Sequence, residues 1–164
     1  MSELELVDEF ARDGSLSDLT IDQLIHSHQL RVALYDLLSE RPLRDLAIEI
    51  LKKFILLRRT DNMTLGYQLL SYAACVLACH GKVEDCLLVW EAKQCDFDAF
   101  CALDIQLMMF AGVEETLTFL SAARPEAAEE ALEYIESCKE AGDFEELAEY
   151  FIWAKKFYVY HNWA

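Results

Sequence analysis

Apolar residues recur every three or four positions along most of this chain, the spacing that gathers them on one face of an α-helix. Leu43, Leu46, Ile50, Phe54 and Leu57 form one such face, with Arg44, Lys52, Lys53 and Arg58 on the other side. Leu65, Leu69, Tyr72, Val76 and Leu77 form a second face, Val83, Cys86, Leu87 and Trp90 a third, and Phe144, Leu147, Phe151 and Ala154 the last. The pattern predicts helices over residues 3–12, 21–39, 42–59, 63–80, 83–94, 97–111, 112–121, 126–141 and 144–158. Pro42 and Pro125 suit first turns, and Asp61-Asn62 and Asp96 suit N-terminal caps. The segment 97–111 is apolar nearly all round and is therefore expected at the centre of the fold. With only two prolines and five glycines to interrupt it, the chain favours long helices over strand hairpins.

Three of those glycines open near-copies of one phrase: Gly81-Lys82-Val83-Glu84-Asp85, Gly112-Val113-Glu114-Glu115 and Gly142-Asp143-Phe144-Glu145-Glu146. They stand 31 and 30 residues apart, each between two predicted helices. That layout is the mark of helical hairpins that bury their apolar faces against their neighbours. The expected fold is all-α: stacked antiparallel helical hairpins in a short α-solenoid of about eight to nine helices. The whole span 1–164 is expected as one domain, with N-terminal helices over 1–59 and hairpin repeats over 60–164. An apolar share of 54% is ample for one core.

Charge changes the picture next. The formal net charge is −16, which repels nucleic acid and anionic membranes and attracts a cationic partner. The charge is unevenly spread: residues 41–59 hold six bases and two acids, whereas 112–150 hold twelve acids and two bases. Within the latter, Glu126, Glu129, Glu133, Glu136 and Glu140 fall on one side of a helix whose other face is Ala128, Ala131, Leu132, Ile135 and Cys138. Like charges at this spacing oppose an isolated helix by ~0.2 to 0.5 kcal/mol per pair, so the stripe is a candidate docking surface for lysine or arginine, with a simply solvated face as the alternative. Asp104, inside an apolar segment, either pairs internally, with an arginine of the basic helix as candidate, or opens onto the binding surface. It joins the five glutamates as a candidate contact residue. No secretory leader or membrane-spanning run is evident, and the six cysteines fit a reducing compartment as buried thiols, so a cytoplasmic location is expected.

The last hairpin, Ala141-Gly142-Asp143-Phe144 followed by Leu147, Phe151 and Ala154, resembles the second half of a tetratricopeptide repeat, and the Gly81 hairpin, with Cys86 and Trp90, resembles it in part. The first-helix positions of that family are not matched, since Ile135 stands where its other glycine would be. The stretch His80-Gly81-Lys82-Val83-Glu84-Asp85, with Trp90-Glu91-Ala92-Lys93 and the residues from Asp96 to Gln106, is similar to small bacterial helical proteins that act as immunity partners of secreted toxins. The first resemblance implies a scaffold for protein binding. The second implies a cytosolic protein that binds and blocks one toxin.

Catalytic motifs are missing: no phosphate-cradling glycine loop, nucleophile elbow or paired-histidine metal motif occurs. His26 and His28, two apart on a predicted helix, point to different faces. Cys75 and Cys79 share a helical face near His80 and Cys86, but thiols set among alanines inside apolar helices are expected to pack as small hydrophobes; Cys95, before Asp96, is the expected reactive one. No cofactor, metal, nucleic acid, membrane or enzymatic activity is expected. Three functions remain: an inhibitor that covers the basic surface of a toxin, an adaptor or chaperone with a peptide in its groove, and a metal- or thiol-dependent sensor.

Overall fold

The computed structural model describes residues 1–60, 65–124 and 126–163. Among them the chain is helical, with no strand. In chain order the helices are α1 (Glu3–Asp13), α2 (Asp18–His26), α3 (His28–Glu40), α4 (Arg44–Thr60), α5 (Tyr67–Ala78), α6 (Cys86–Lys93), α7 (Phe97–Ala102), α8 (Val113–Ala122), α9 (Glu126–Glu140) and α10 (Leu147–Ala154). Short 3₁₀ turns occupy Val83–Asp85 and Ile105–Met108, and a π turn, Lys155–Tyr160, extends α10. None of the described helices is long and apolar enough to cross a membrane.

The centre is α5, not the segment 97–111. Nine consecutive residues of α5, from Leu69 to Leu77, are buried, because α3, α4, α7, the 105–108 turn and the π turn all pack around it. The 97–111 stretch is instead split: α7 stops at Ala102, and Phe97 at its start is 80% exposed. The stop has a chemical cause. The buried ammonium of Lys93 donates to the Phe100 and Leu103 carbonyls, and Leu103 and Asp104 turn extended. The apolar residues Leu103, Ile105, Leu107, Met108 and Met109 are buried without continuing the α-helix, Ile105–Met108 forming a 3₁₀ turn instead. Periodicity alone does not distinguish the two outcomes.

A second expected helix, 21–39, also divides. Ser27 leaves helical geometry (φ −111°, ψ 99°) and its hydroxyl accepts from the Leu30 N–H, capping α3. The carbonyls of Leu24 and Ile25 that α2 leaves unpaired are taken by the guanidinium of Arg31, one turn into α3. Pro42 lies ahead of α4 rather than in it. The expected cap Asp61-Asn62 and the helix-opening Pro125 lie outside the described residues, whereas Asp96 caps α7 as expected, its carboxylate accepting from the Ala99 N–H at 2.8 Å.

All three repeated glycines turn the chain between helical elements, and all three have positive φ: 60° at Gly81, 113° at Gly112 and 87° at Gly142. At Gly112 a side chain would also collide with Glu115, whose carboxylate oxygen lies 2.1 Å from where a Cβ would stand. Only glycine fits that bend. The C-terminal aromatic run does more than cover the last hairpin. Its π turn packs across α5 and α3, with the Tyr160 hydroxyl donating to Asp36 at 2.6 Å and Trp163 stacked 4.4 Å from the Arg31 guanidinium.

Candidate partner-binding face

Helix α9 is amphipathic by composition and by burial. Ala128, Ala131 and Ile135 are buried against α6 and α8, while Glu126, Glu129, Glu133, Glu136 and Glu140 are all exposed. At 100° per residue these five glutamates fall within an arc of about 80°, one continuous stripe along the helix. Among the described residues none of the five has an ion-pair partner. Lys139, the one base of this helix, reaches the other way, its ammonium 2.6 Å from Glu114 on α8. The stripe continues past Gly142 into Asp143, Glu145, Glu146 and Glu149, which border a depression of about 450 Å³ with Gln106, Tyr150 and Trp153.

The acids of the middle of the chain are held differently. Arg44 of α4 makes a two-pronged pair with Asp85 (2.9 and 2.6 Å) and reaches Glu84 at 3.2 Å. Arg58 pairs with Asp96 at 2.5 and 3.1 Å and also donates to the Leu65 carbonyl. Arg59 meets Glu91 at 2.8 Å. The arginines of α4 are thus matched to acids on and around α6. That hydrogen-bonded pairing holds the Asp96 carboxyl below its ordinary value.

Asp104 stands apart from the glutamates. Its carboxylate accepts from the hydroxyls of Tyr150 (2.9 Å) and Tyr158 (2.8 Å), so its partners are two phenols from the C-terminal elements and not an arginine of α4. Burial, together with the adjacent carboxylate, pushes both phenols far up, and they stay protonated as donors.

One flank of the stripe carries a feature that the sequence pattern did not reveal. Trp90 of α6, Phe100 of α7 and Tyr134 of α9 pack edge-on or tilted, with ring centroids 5.4 to 6.3 Å apart. With Gln94, Glu130, Glu133 and Ser137 they line a shallow groove of about 470 Å³. Glu133 belongs both to the groove and to the stripe. Glu130 is fixed over the groove by the Gln94 amide, which donates to it at 3.0 Å. The consecutive helices α6 and α7 and the more distant α9 build this floor, and helical periodicity within each one carries no sign of it.

The thiols offer little chemistry. Burial pushes Cys75 well up and Cys86 up to about 12, and Cys95, half-buried with its sulfur toward the Glu91 carbonyl at 3.7 Å, is raised as well. The exposed thiol is Cys101. Among the described residues no group of three or more histidine, cysteine or acidic side chains is placed to hold a metal ion. Comparison with protein families, with curated proteins and with solved structures finds no match to this chain.

Proposed function

We propose that this chain is an acidic protein-binding module, an immunity protein that blocks a bacterial toxin in the cytoplasm by covering a basic surface, and that it acts by binding rather than by chemistry. The observation that carries this reading is the contrast between two sets of acids. Those near α6 are matched by the arginines of α4, whereas Glu126, Glu129, Glu133, Glu136 and Glu140 stand exposed on one arc of α9 with no ion-pair partner among the described residues. A rigid helix face of one sign speeds the encounter with a cation-rich surface and fixes its orientation. Asp104, bonded to two tyrosines, ties the segment after α7 to α10 and the π turn.

The finer architecture we propose is a short stack of helical hairpins akin to tetratricopeptide repeats. The three positive-φ glycine bends at 31- and 30-residue spacing support it, with the C-terminal turn folded back over α3 and α5. A second reading, an adaptor gripping a peptide, draws on an apolar cleft of about 350 Å³ between Tyr35, Cys75, Cys79, Phe110, Phe151 and Ile152.

The test is kinetic. The protein that co-purifies from the native cell is bound to the wild type and to the triple variant Glu129→Lys, Glu133→Lys, Glu136→Lys. The association rate at low salt is expected to fall at least ~10-fold in the variant and to fall with added salt in the wild type. The partner's toxic activity should be blocked at one-to-one stoichiometry. An unchanged association rate removes the α9 face; salt-insensitive binding competed by an apolar peptide favours the adaptor.

A further inference from the structure

Resting on the proposal that the α9 face meets a basic protein, we infer that the groove between α6, α7 and α9 seats an arginine side chain of that partner. Four observations converge. First, the groove has an aromatic floor of Trp90, Phe100 and Tyr134 and a rim of two carboxylates, Glu130 and Glu133. Aromatic faces beside acids recognise a flat, weakly hydrated cation, and a guanidinium stacks on rings and forks onto carboxylates in ways that a compact ammonium does not. Second, the rings are held in place from the interior by Lys93, whose charge is already taken up by the Phe100 and Leu103 carbonyls. The Lys93 ammonium lies 4.8 Å from the Phe100 centroid and 5.7 Å from that of Tyr134.

Third, Trp90 lines the groove while only 3% exposed, and its indole N–H has no acceptor among the described residues. The indole nitrogen itself is buried, so Trp90 is a dry backing to the partly exposed Phe100 and Tyr134, and a guanidinium stacking there shifts its signal without bonding to it. Fourth, Glu130 is oriented before binding by Gln94, and preorganisation lowers the cost of association. The stripe then supplies long-range attraction and the groove supplies the anchor, with Glu133 common to both.

The experiment uses the full chain labelled with ¹⁵N and two probes, an acetylated and amidated tri-arginine peptide and its tri-lysine counterpart. The indole N–H signal of Trp90 is distinguished from those of Trp153 and Trp163 by Trp153→Phe and Trp163→Phe spectra. The arginine peptide is expected to shift the Trp90 signal saturably and to bind at least ~3-fold more tightly than the lysine peptide. Glu130→Gln with Glu133→Gln should weaken it at least ~5-fold, and Glu129→Gln with Glu136→Gln less than ~2-fold, with the amide spectrum verifying that each variant is folded. Equal binding of both peptides, or a Trp90 signal that stays still while amides along α9 move, overturns the arginine seat and leaves the acidic face standing. If neither peptide binds but the native partner still associates more slowly with the lysine-substituted triple variant, the seat is again refuted and the face retained. Loss of that partner effect refutes the face itself.

Discussion

Arg31, Arg58 and Lys93 are buried cations, each at most 7% exposed, and each donates to a backbone carbonyl, Arg31 and Lys93 at the ends of α2 and α7 and Arg58 at Leu65, just ahead of α5. Burying a charge is costly unless it is hydrogen-bonded, and carbonyls left over at helix ends are ready acceptors. Desolvation correspondingly lowers the affinity of Arg31 and Lys93 for their protons. Arg58 differs, because Asp96 answers it directly and raises it. Asp96→Asn should therefore destabilise the protein by about 2 kcal/mol at neutral pH, toward the lower side of a broken buried pair because Asp96 is partly exposed. The depressed carboxyl contributes stability that is fully present above its ordinary value of 3.8 and is lost as pH falls through its lower folded value. In urea titrations the gap between wild type and variant should be constant near neutrality and close below about pH 3.8. A gap that persists unchanged in acid would assign the loss to the α7 cap instead.

At the scale of elements, the amphipathic helices were legible wherever one face alone is buried. The stripes of α4 and α9 and the bends at Gly81, Gly112 and Gly142 stand where periodicity and the glycine phrase put them. What was not legible is where two neighbouring elements compete for one stretch of backbone. The apolar run 97–111 has the composition of a central helix, yet Lys93 reaches across from α6 to take its carbonyls, and a contact between elements leaves no trace in local pattern. The break at Ser27 has the same origin in Arg31. Gly112→Ala is expected to cost about 1–2 kcal/mol, since φ is 113° and the new Cβ meets Glu115. For a chain of this length that lowers Tm by about 2–4 °C per kcal/mol. Gly66→Ala, where φ is −66° and the added Cβ, 2.8 Å from Gln68 Oε1, meets only the movable end of a flexible side chain, should fall within about 0.5 kcal/mol of wild type. Equal effects at the two sites in thermal melts would contradict the strain argument.

On the scale of the whole molecule, the uneven charge of the chain was readable as counts along the sequence, and so was the exposure of the α9 glutamates, because their helix has only one apolar side. Which acids would find partners was not readable, for that depends on α4 lying across α6. The aromatic floor of Trp90, Phe100 and Tyr134 escaped for the same reason. The six thiols provide a depth scale for this arrangement. Cys101 should react with a maleimide within the native state, Cys79, Cys95 and Cys138 more slowly, Cys75, 7% exposed on the wall of the apolar cleft, more slowly still, and Cys86 only at the rate of global opening. Mass spectrometry of labelled peptides over time gives the order. Early labelling of Cys75 would mean that the central helix is reached by local fluctuation.

The carbonyl-bound cations described above also bear on how molecules of this protein meet one another. Burial takes the cations of Arg31 and Lys93 off the surface without changing the formal net charge of −16, whereas Arg58 is offset by Asp96. Copies approaching in dilute buffer are therefore expected to repel, and added salt or polyamine to weaken that repulsion, which light scattering against concentration checks.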